Sequence, residues 1–190
     1  MKLLWSKSLE TERLLLHKTE ERDLKKLWEI LCIEDVSKYY LTTKINYNWE
    51  DEKKWQYKKL EEATNGDIFR WTIELKDSNI VIWQIDITEN SDFNDNEIRD
   101  IGRFIDPNYQ RKWYTYEAAL EIFKYMFLEV WIRSIITSAA IDNPNSRKLM
   151  EKLWFRRLHG TKFTKYTLLD NEIEVYKYEL TCEDFMTIMK

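Results

Sequence analysis

Ile98-Arg99-Asp100-Ile101-Gly102-Arg103-Phe104-Ile105 is a strand-like run that empties into the turn Asp106-Pro107-Asn108-Tyr109. The residues after this turn decide the fold. From Tyr114 to Val130 the residues Ala118, Ala119, Ile122, Phe123, Met126 and Phe127 recur at helical spacing on one face, and Ser134–Ala140 is a second strand-like run. A strand, a helix and a strand within about 43 residues make a crossover, so the two strands are expected to lie parallel with a right-handed connection. Where the first strand hands over to its helix, backbone N–H groups point outward beside the positive end of the helix dipole, a setting that suits an anion. Beyond the second strand, Asn143-Pro144-Asn145-Ser146 opens another helix, with Asn143 as its cap and Pro144 at its first position. Leu149, Met150, Leu153 and Trp154 form the apolar stripe of that helix.

The flanking sequence supplies antiparallel partners. Arg13–His17 reads as a first strand, and Leu24, Leu27, Trp28 and Leu31 mark a helix over residues 20–31 with Thr19 as its cap. A second helix is predicted from about Glu50 to Ala63, behind Asn48 and stopped by Asn65-Gly66. Phe69–Leu75 and Val81–Thr88 alternate around Lys76-Asp77-Ser78-Asn79 as a hairpin does. Two further strands, about Phe155–Lys165 and Glu172–Leu180, close the chain. No repeat, low-complexity linker or long charge block divides it, so a single domain over residues 1–190 is expected. The class is α/β: a mixed sheet, largely antiparallel, with one parallel strand pair, flanked by helices.

Composition narrows the function. The 190 residues are 44% hydrophobic and 34% charged, which excludes a disordered tail. No apolar run approaches the ~18 residues of a membrane span, and the start lacks the apolar core of a secretory signal. A net charge of −4 gives no bulk attraction to nucleic acid or to an anionic membrane, and neither is expected as a partner. Two cysteines and two histidines are too few and too scattered for a disulfide framework or a zinc site, so no metal is expected and the cytoplasm is the fitting compartment. His17 and His159 are isolated and read as structural, and Cys32 as a small core residue. One number is odd. Average usage of roughly 7% Gly and 5% Pro would give about 13 and about 10 residues, whereas this chain has 3 Gly, 2 Pro and 9 Trp.

Three blocks stand in order: Asp100–Pro107; Tyr109-Gln110-Arg111-Lys112-Trp113-Tyr114-Thr115-Tyr116-Glu117-Ala118; and Ile141-Asp142-Asn143-Pro144-Asn145-Ser146 running on to Phe155. Together with the opening Leu9-Glu10-Thr11-Glu12-Arg13-Leu14 they resemble the GNAT N-acetyltransferase superfamily, and within it the ribosomal-protein N-terminal acetyltransferase branch. The likeness runs from about Leu9 to Leu180. It implies a GNAT-like sheet whose parallel pair splays open, and transfer of acetyl from acetyl-CoA to a primary amine such as a protein N-terminus. A small-molecule or polyamine acceptor, or a non-catalytic binding module on the same fold, are the alternatives.

The resemblance also assigns residues. Gln110, Arg111, Lys112, Trp113, Tyr114 and Thr115 look like the family's pyrophosphate loop, written Gln/Arg-x-x-Gly-x-Gly/Ala. The strand Arg103–Ile105, with Phe104 and Ile105, would pair its backbone with the pantetheine arm like an added strand, and one of its amides would polarise the thioester carbonyl. Asn143 resembles the residue that bonds the pantetheine arm, as well as being a helix cap. Ser146 resembles the hydroxyl that protonates the leaving thiolate. Many relatives use a tyrosine four positions later, where this chain has Met150. The attacking amine must be neutral, so a base is needed, and Asp100 or Glu97 at the mouth of the parallel pair are the candidates.

The chain departs from the family at its tryptophans. Trp113 stands where the loop carries glycine, and Trp5, Trp83, Trp131 and Trp154 occupy four more places where relatives carry glycine. Trp28, Trp49, Trp55 and Trp71 look ordinary. The codon UGA is one base from GGA and is read as stop, tryptophan or glycine in different genetic codes. Glycine-coding UGA rendered as tryptophan would produce this pattern, and reading the five as glycine would bring the glycine count to 8, closer to average usage; a genuine protein that has lost its cofactor loop is the rival.

Overall fold

The computed structural model describes residues 6–64, 68–93 and 95–190. Along these the elements are β1 (Leu9–Glu10), β2 (Leu14–Lys18), α1 (Glu21–Leu31), α2 (Glu34–Ser37), α3 (Trp49–Thr64), β3 (Phe69–Leu75), β4 (Val81–Glu89), β5 (Ile98–Ile105), α4 (Tyr114–Lys124), β6 (Ser134–Ala140), α5 (Pro144–Lys152), β7 (Arg156–Lys165), β8 (Glu172–Thr181) and α6 (Cys182–Ile188). The eight strands form one sheet in the order β1-β2-β3-β4-β5-β6-β8-β7. Every neighbouring pair is antiparallel except β5–β6, the pair joined by the crossover through α4.

Alternation along the strands sends side chains to two covered faces. On one, Trp71, Ile73, Ile85, Ile101 and Ile135 meet Ala118, Ile122 and Phe123 of α4 and Met150 of α5. On the other, Phe104 of β5 packs with Leu27, Ile30 and Leu31 of α1 and with Tyr40. The helices therefore hold β5 from both sides and leave its ends to the loops.

Several boundaries differ from the sequence reading, each for a local reason. Thr19 does not cap α1: it is buried and its hydroxyl accepts from Thr72 at 3.0 Å, while Glu20 takes the cap position and its N–H donates to Asp23 at 2.8 Å. Asn48 opens α3 as expected, its Oδ1 accepting from the Glu50 N–H at 2.9 Å; the Asn65-Gly66 stop lies outside the described residues. The helix read over 114–130 is α-helical only to Lys124 and continues as wider π-helical turns over Tyr125–Val130. Widening turns Tyr125, Met126, Phe127 and Val130 into the core together, with Tyr125 edge-on to Trp71. The elements β1, α2 and α6 were not anticipated, being too short to show a period. Phe185 of α6 packs edge-on to Phe123. Trp154 does not belong to the α5 stripe: the helix has ended, and Trp154 takes φ 60° just past it.

One buried ion pair ties α3 to the sheet. Arg70 on β3 meets Asp86 on β4 through two hydrogen bonds of 2.8 and 2.9 Å, and its third arm donates to the Lys59 carbonyl at 3.0 Å. Removing one partner of such a pair strands a buried charge, at a cost of about 3–5 kcal/mol. Asp86→Ala is expected to lower the unfolding free energy by about that amount. A double variant with Met at 70 and Leu at 86 should recover much of the loss. Urea unfolding of the three proteins checks this.

Candidate active site

The parallel pair is short. β5 and β6 pair only at Ile98–Ser134, Arg99–Ile135 and Asp100–Ile136, although β5 continues to Ile105 and β6 to Ala140. Thr137 Oγ1 donates to the Ile101 carbonyl at 3.2 Å, and beyond that contact the strands part. β5 keeps β4 on its other side through Ile105, so one backbone edge of β5 faces an opening rather than a strand. The opening widens into a cleft of about 1120 Å³ that passes through the sheet. Phe104, Ile105, Ile136 and Ser138 line its walls; Gln110, Arg111 and Thr115 stand at one mouth, Tyr39, Tyr40 and Tyr166 at the other.

The first mouth is the start of α4. Arg111 and Trp113 both take left-handed backbone, at φ 62° and 67°, and a run of turns of this kind gathers successive N–H groups into a concave anion site. The Trp113 side chain makes no cap hydrogen bond, so the first-turn amides of α4 have no side-chain acceptor there. Arg13 fixes the loop from outside. Its Nη1 donates to the Lys112 carbonyl at 3.1 Å and its Nε to Glu117 Oε2 at 2.7 Å, while the Arg13 N–H and the Thr11 hydroxyl donate to Glu117 Oε1. The opening motif Leu9-Glu10-Thr11-Glu12-Arg13-Leu14 thus acts as a clamp on the helix mouth. Lys112 and Tyr114 turn their side chains away from the cleft, Lys112 over the Tyr109 ring at 5.1 Å and Tyr114 under Arg13 at 4.5 Å.

The polar side chains of Asp100, Arg103, Asn143 and Ser146 meet the cleft inside the split. Asp100 sits on the last rung of the parallel pair. Burial lifts its carboxyl to about 6, with nearby Asp92 adding to the rise and the Ile101 amide, Lys177 and Arg103 opposing it. Ser146 is in the first turn of α5, and Arg103 Nη2 lies 3.4 Å from its Oγ and 3.3 Å from Met150 Sδ. Burial pulls the Arg103 guanidinium down to about 10. Asn143 caps α5 as expected, its Oδ1 accepting from the Ser146 N–H at 3.1 Å, and it also lines the cleft.

Of the residues singled out from sequence, the structure brings Asp100, Phe104, Ile105, Gln110, Arg111, Trp113, Thr115, Asn143 and Ser146 to one cleft. Glu97 is not among its lining: it lies at the closed end of the pair, where its carbonyl accepts from the N–H groups of Arg133 and Ser134. Arg103 was missed. Its signal was its position, since period-two alternation places it on the inward face between Ile101 and Ile105, where an arginine is out of place unless it faces something.

An open strand edge leading to an uncapped helix start is the geometry that the sequence likeness requires, and a profile of the acetyltransferase (GNAT) domain matches residues 13–156. The chain is a GNAT acetyltransferase. An uncharacterized N-acetyltransferase of Bacillus subtilis (strain 168), YnaD, is 29% identical over 147 residues, covering 77% of this chain and 81% of that protein. A GNAT-family acetyltransferase from Bacillus anthracis superposes with a TM-score of 0.76 at 25% identity, over 93% of this chain and 99% of that one. The same fold is seen in a spermidine N-acetyltransferase from Vibrio cholerae in complex with CoA and spermine, at TM-score 0.77 and 17% identity, over 93% and 99% of the two chains. GNAT enzymes use acetyl-CoA. The strand edge, Asn143 and the amides at the α4 mouth suit its pantetheine and diphosphate. The Trp113 indole does not: it stands 58% exposed at that mouth with the Lys152 ammonium 4.4 Å from its ring. Among the described residues no group of three or more His, Cys, Asp or Glu is placed to hold a metal ion, and no helix is long and apolar enough to cross a membrane.

The raised Asp100 carboxyl has a consequence for stability. The folded protein holds this proton to about pH 6, whereas the unfolded chain releases it near 3.8. Ionising it in place opposes folding, so its contribution falls as pH rises through that window and stays low above it. Asp100→Asn should raise the thermal midpoint at pH 8 more than at pH 4, measured by scanning calorimetry in matched buffers.

Proposed function

We propose that this GNAT acetyltransferase acetylates the single primary amine of a peptide or protein N-terminus, with Asp100 as the base and Ser146, held by Arg103, as the acid. The opened edge of β5 carries the reading, because it offers main-chain groups along which an extended thioester arm can lie as an added strand. At its inner end Asp100 stands on one face of β5 and Arg103 on the other, both lining the cleft that would receive the thioester.

That placement dictates the chemistry. An amine entering from the Tyr39, Tyr40 and Tyr166 side reaches Asp100 first. Above about pH 6 Asp100 is a carboxylate and accepts the ammonium proton, leaving a lone pair for attack on the thioester carbonyl. The C–N bond forms, the C–S bond breaks, the departing thiolate takes a proton from Ser146 Oγ, and the second proton shed by the nitrogen as the amide forms passes through solvent to restore the serine. Arg103 supplies a fixed positive charge beside that oxygen and so favours the thiolate as it develops. Its Nη2 lies 3.3 Å from the sulfur of Met150, the residue that stands where many relatives carry the tyrosine acid.

The choice of a single amine rests on charge. Asp92, the other carboxylate near Asp100, is engaged by Lys162 at 3.0 Å and by Lys177. Of the four carboxylates that line the cleft, Asp35, Asp92, Asp100 and Asp142, Asp100 alone stands on a strand of the split, whereas a polyamine needs a row of them there. A cytoplasmic setting goes with this reading, since Cys32 and Cys182 both carry free thiols.

Free-thiol release from acetyl-CoA with a panel of N-terminal peptides and spermidine tests the acceptor: peptides are expected to turn over faster, and the reverse order refutes the choice. Asp100→Asn should lower kcat about 10²–10⁴-fold and abolish the acidic limb of the pH–rate profile near pH 6. Ser146→Ala is expected to lower kcat with little change in the KM for acetyl-CoA.

A further inference from the structure

The left-handed backbone picks out tryptophans. Among the described residues five non-glycines take φ between 54° and 67°: Asn79, Arg111, Trp113, Trp131 and Trp154. Asparagine tolerates this region, whereas a bulky aromatic residue there is an outlier. Three of the five are tryptophan, in a chain with 9 tryptophans and 3 glycines among 190 residues.

The setting of each is one that glycine fills. Trp154 comes just after α5, and the next N–H, that of Phe155, reaches back to the Met150 carbonyl at 2.9 Å, the closing bond of a Schellman ending whose left-handed residue is most often glycine. Trp131 ends the Tyr125–Val130 turns in the same way: its N–H returns to the Met126 carbonyl, and its ring stands 57% exposed. Trp113 turns the chain into α4 at the anion mouth. Trp83 breaks a different rule. It is fully buried on β4, and its indole Nε1 has no hydrogen-bond partner. Trp5 lies outside the described residues. Two tryptophans outside this set behave as the residue should. The Trp28 and Trp71 N–H groups donate to the Asn46 and Lys7 carbonyls, each at 2.8 Å.

We infer that residues 83, 113, 131 and 154 are glycines in the working protein, their codon being UGA read as glycine. Trp113, Trp131 and Trp154 differ from Trp28 and Trp71 in backbone and Trp83 differs from them in polar satisfaction, a sorting that tryptophans placed without regard to glycine positions do not produce. Glycine at 113 and 154 also dismantles a ladder of rings at the helix mouth. Trp113 meets Tyr116 at 5.8 Å and Tyr116 meets Trp154 at 5.7 Å, with Lys152 resting on Trp113. Without the indoles, Lys152 is released beside Arg111 at the place where a diphosphate would lie, and that consequence alone rests on the proposed acetyl-CoA reading.

The codons and the protein's mass give the test. The gene is expected to carry UGA at positions 83, 113, 131 and 154 and UGG at 28, 49, 55 and 71. Peptides from the source cells, read by mass spectrometry, should carry glycine at the first four. UGG codons at those positions, or tryptophan in the peptides, overturn the inference. Trp131→Gly, at an exposed site outside the cleft, supplies a check in recombinant protein: the thermal midpoint should rise by about 2–4 °C, and a fall counts against it. Trp113→Gly should tighten CoA binding about tenfold by calorimetry. Unchanged CoA affinity beside glycine-bearing peptides would leave the glycine assignment standing and remove the loop from the cosubstrate site.

Discussion

The molecule depends on a hydrogen-bond ladder that stops early. Three rungs join β5 to β6, and beyond Asp100–Ile136 the two strands separate while each stays paired on its outer side. A bare strand edge inside a sheet is a liability, because its N–H and C=O groups need partners. Here neither strand can close the gap. Helices α1 and α4 press on opposite faces of the β4–β5 side, and β8 holds β6 along its whole length from Ser134 to Ala140. The gap is therefore built in, and it leaves one backbone edge of β5 open to the cleft.

The same opening sets the electrostatics. Side chains on opposite faces of a strand are normally shielded from each other by the sheet. Where the sheet is split, Asp100 and Arg103 look into one space from two sides, and each is shifted toward neutrality by burial while its charge steadies the other. A carboxyl near 6 and a guanidinium near 10 are both charged at neutral pH, the carboxylate within reach of taking up a proton there. The position of the split determines which residues acquire these properties.

Much of this was legible in the chain itself. The crossover, the hairpin of β3 and β4 and the Asn143 cap each rest on local signals: a change of period, a polar turn, a capping residue ahead of proline. The split was reached only through likeness to a family, since no periodicity says where a ladder ends. Elements shorter than two turns or one alternation, β1, α2 and α6, left no pattern. Thr19 was misread because its hydroxyl has a partner from β3, a contact far away in sequence. Glu97 was misplaced because being at the start of a strand says nothing of which end of the pair opens. Arg103 was readable from alternation alone, but only if an inward arginine is taken as a question rather than as part of a strand.

The tryptophans show how far a fold can overrule a residue. A left-handed L-residue costs about 1–2 kcal/mol, and the chain carries that at Trp113, Trp131 and Trp154. The turns persist because their neighbours fix them. Phe155 must return to the Met150 carbonyl for β7 to begin beside β8, and Ile132 must reach back to Met126, at 3.2 Å, for β6 to begin beside β5. Hydrogen bonds and core burial on either side thus specify the backbone at the turning residue, whatever side chain it bears. A sequence that bears this strain at three separate helix boundaries, with the Trp113 and Trp131 rings left exposed and only Trp154 resting against the core, is one whose backbone was shaped for a residue without a Cβ.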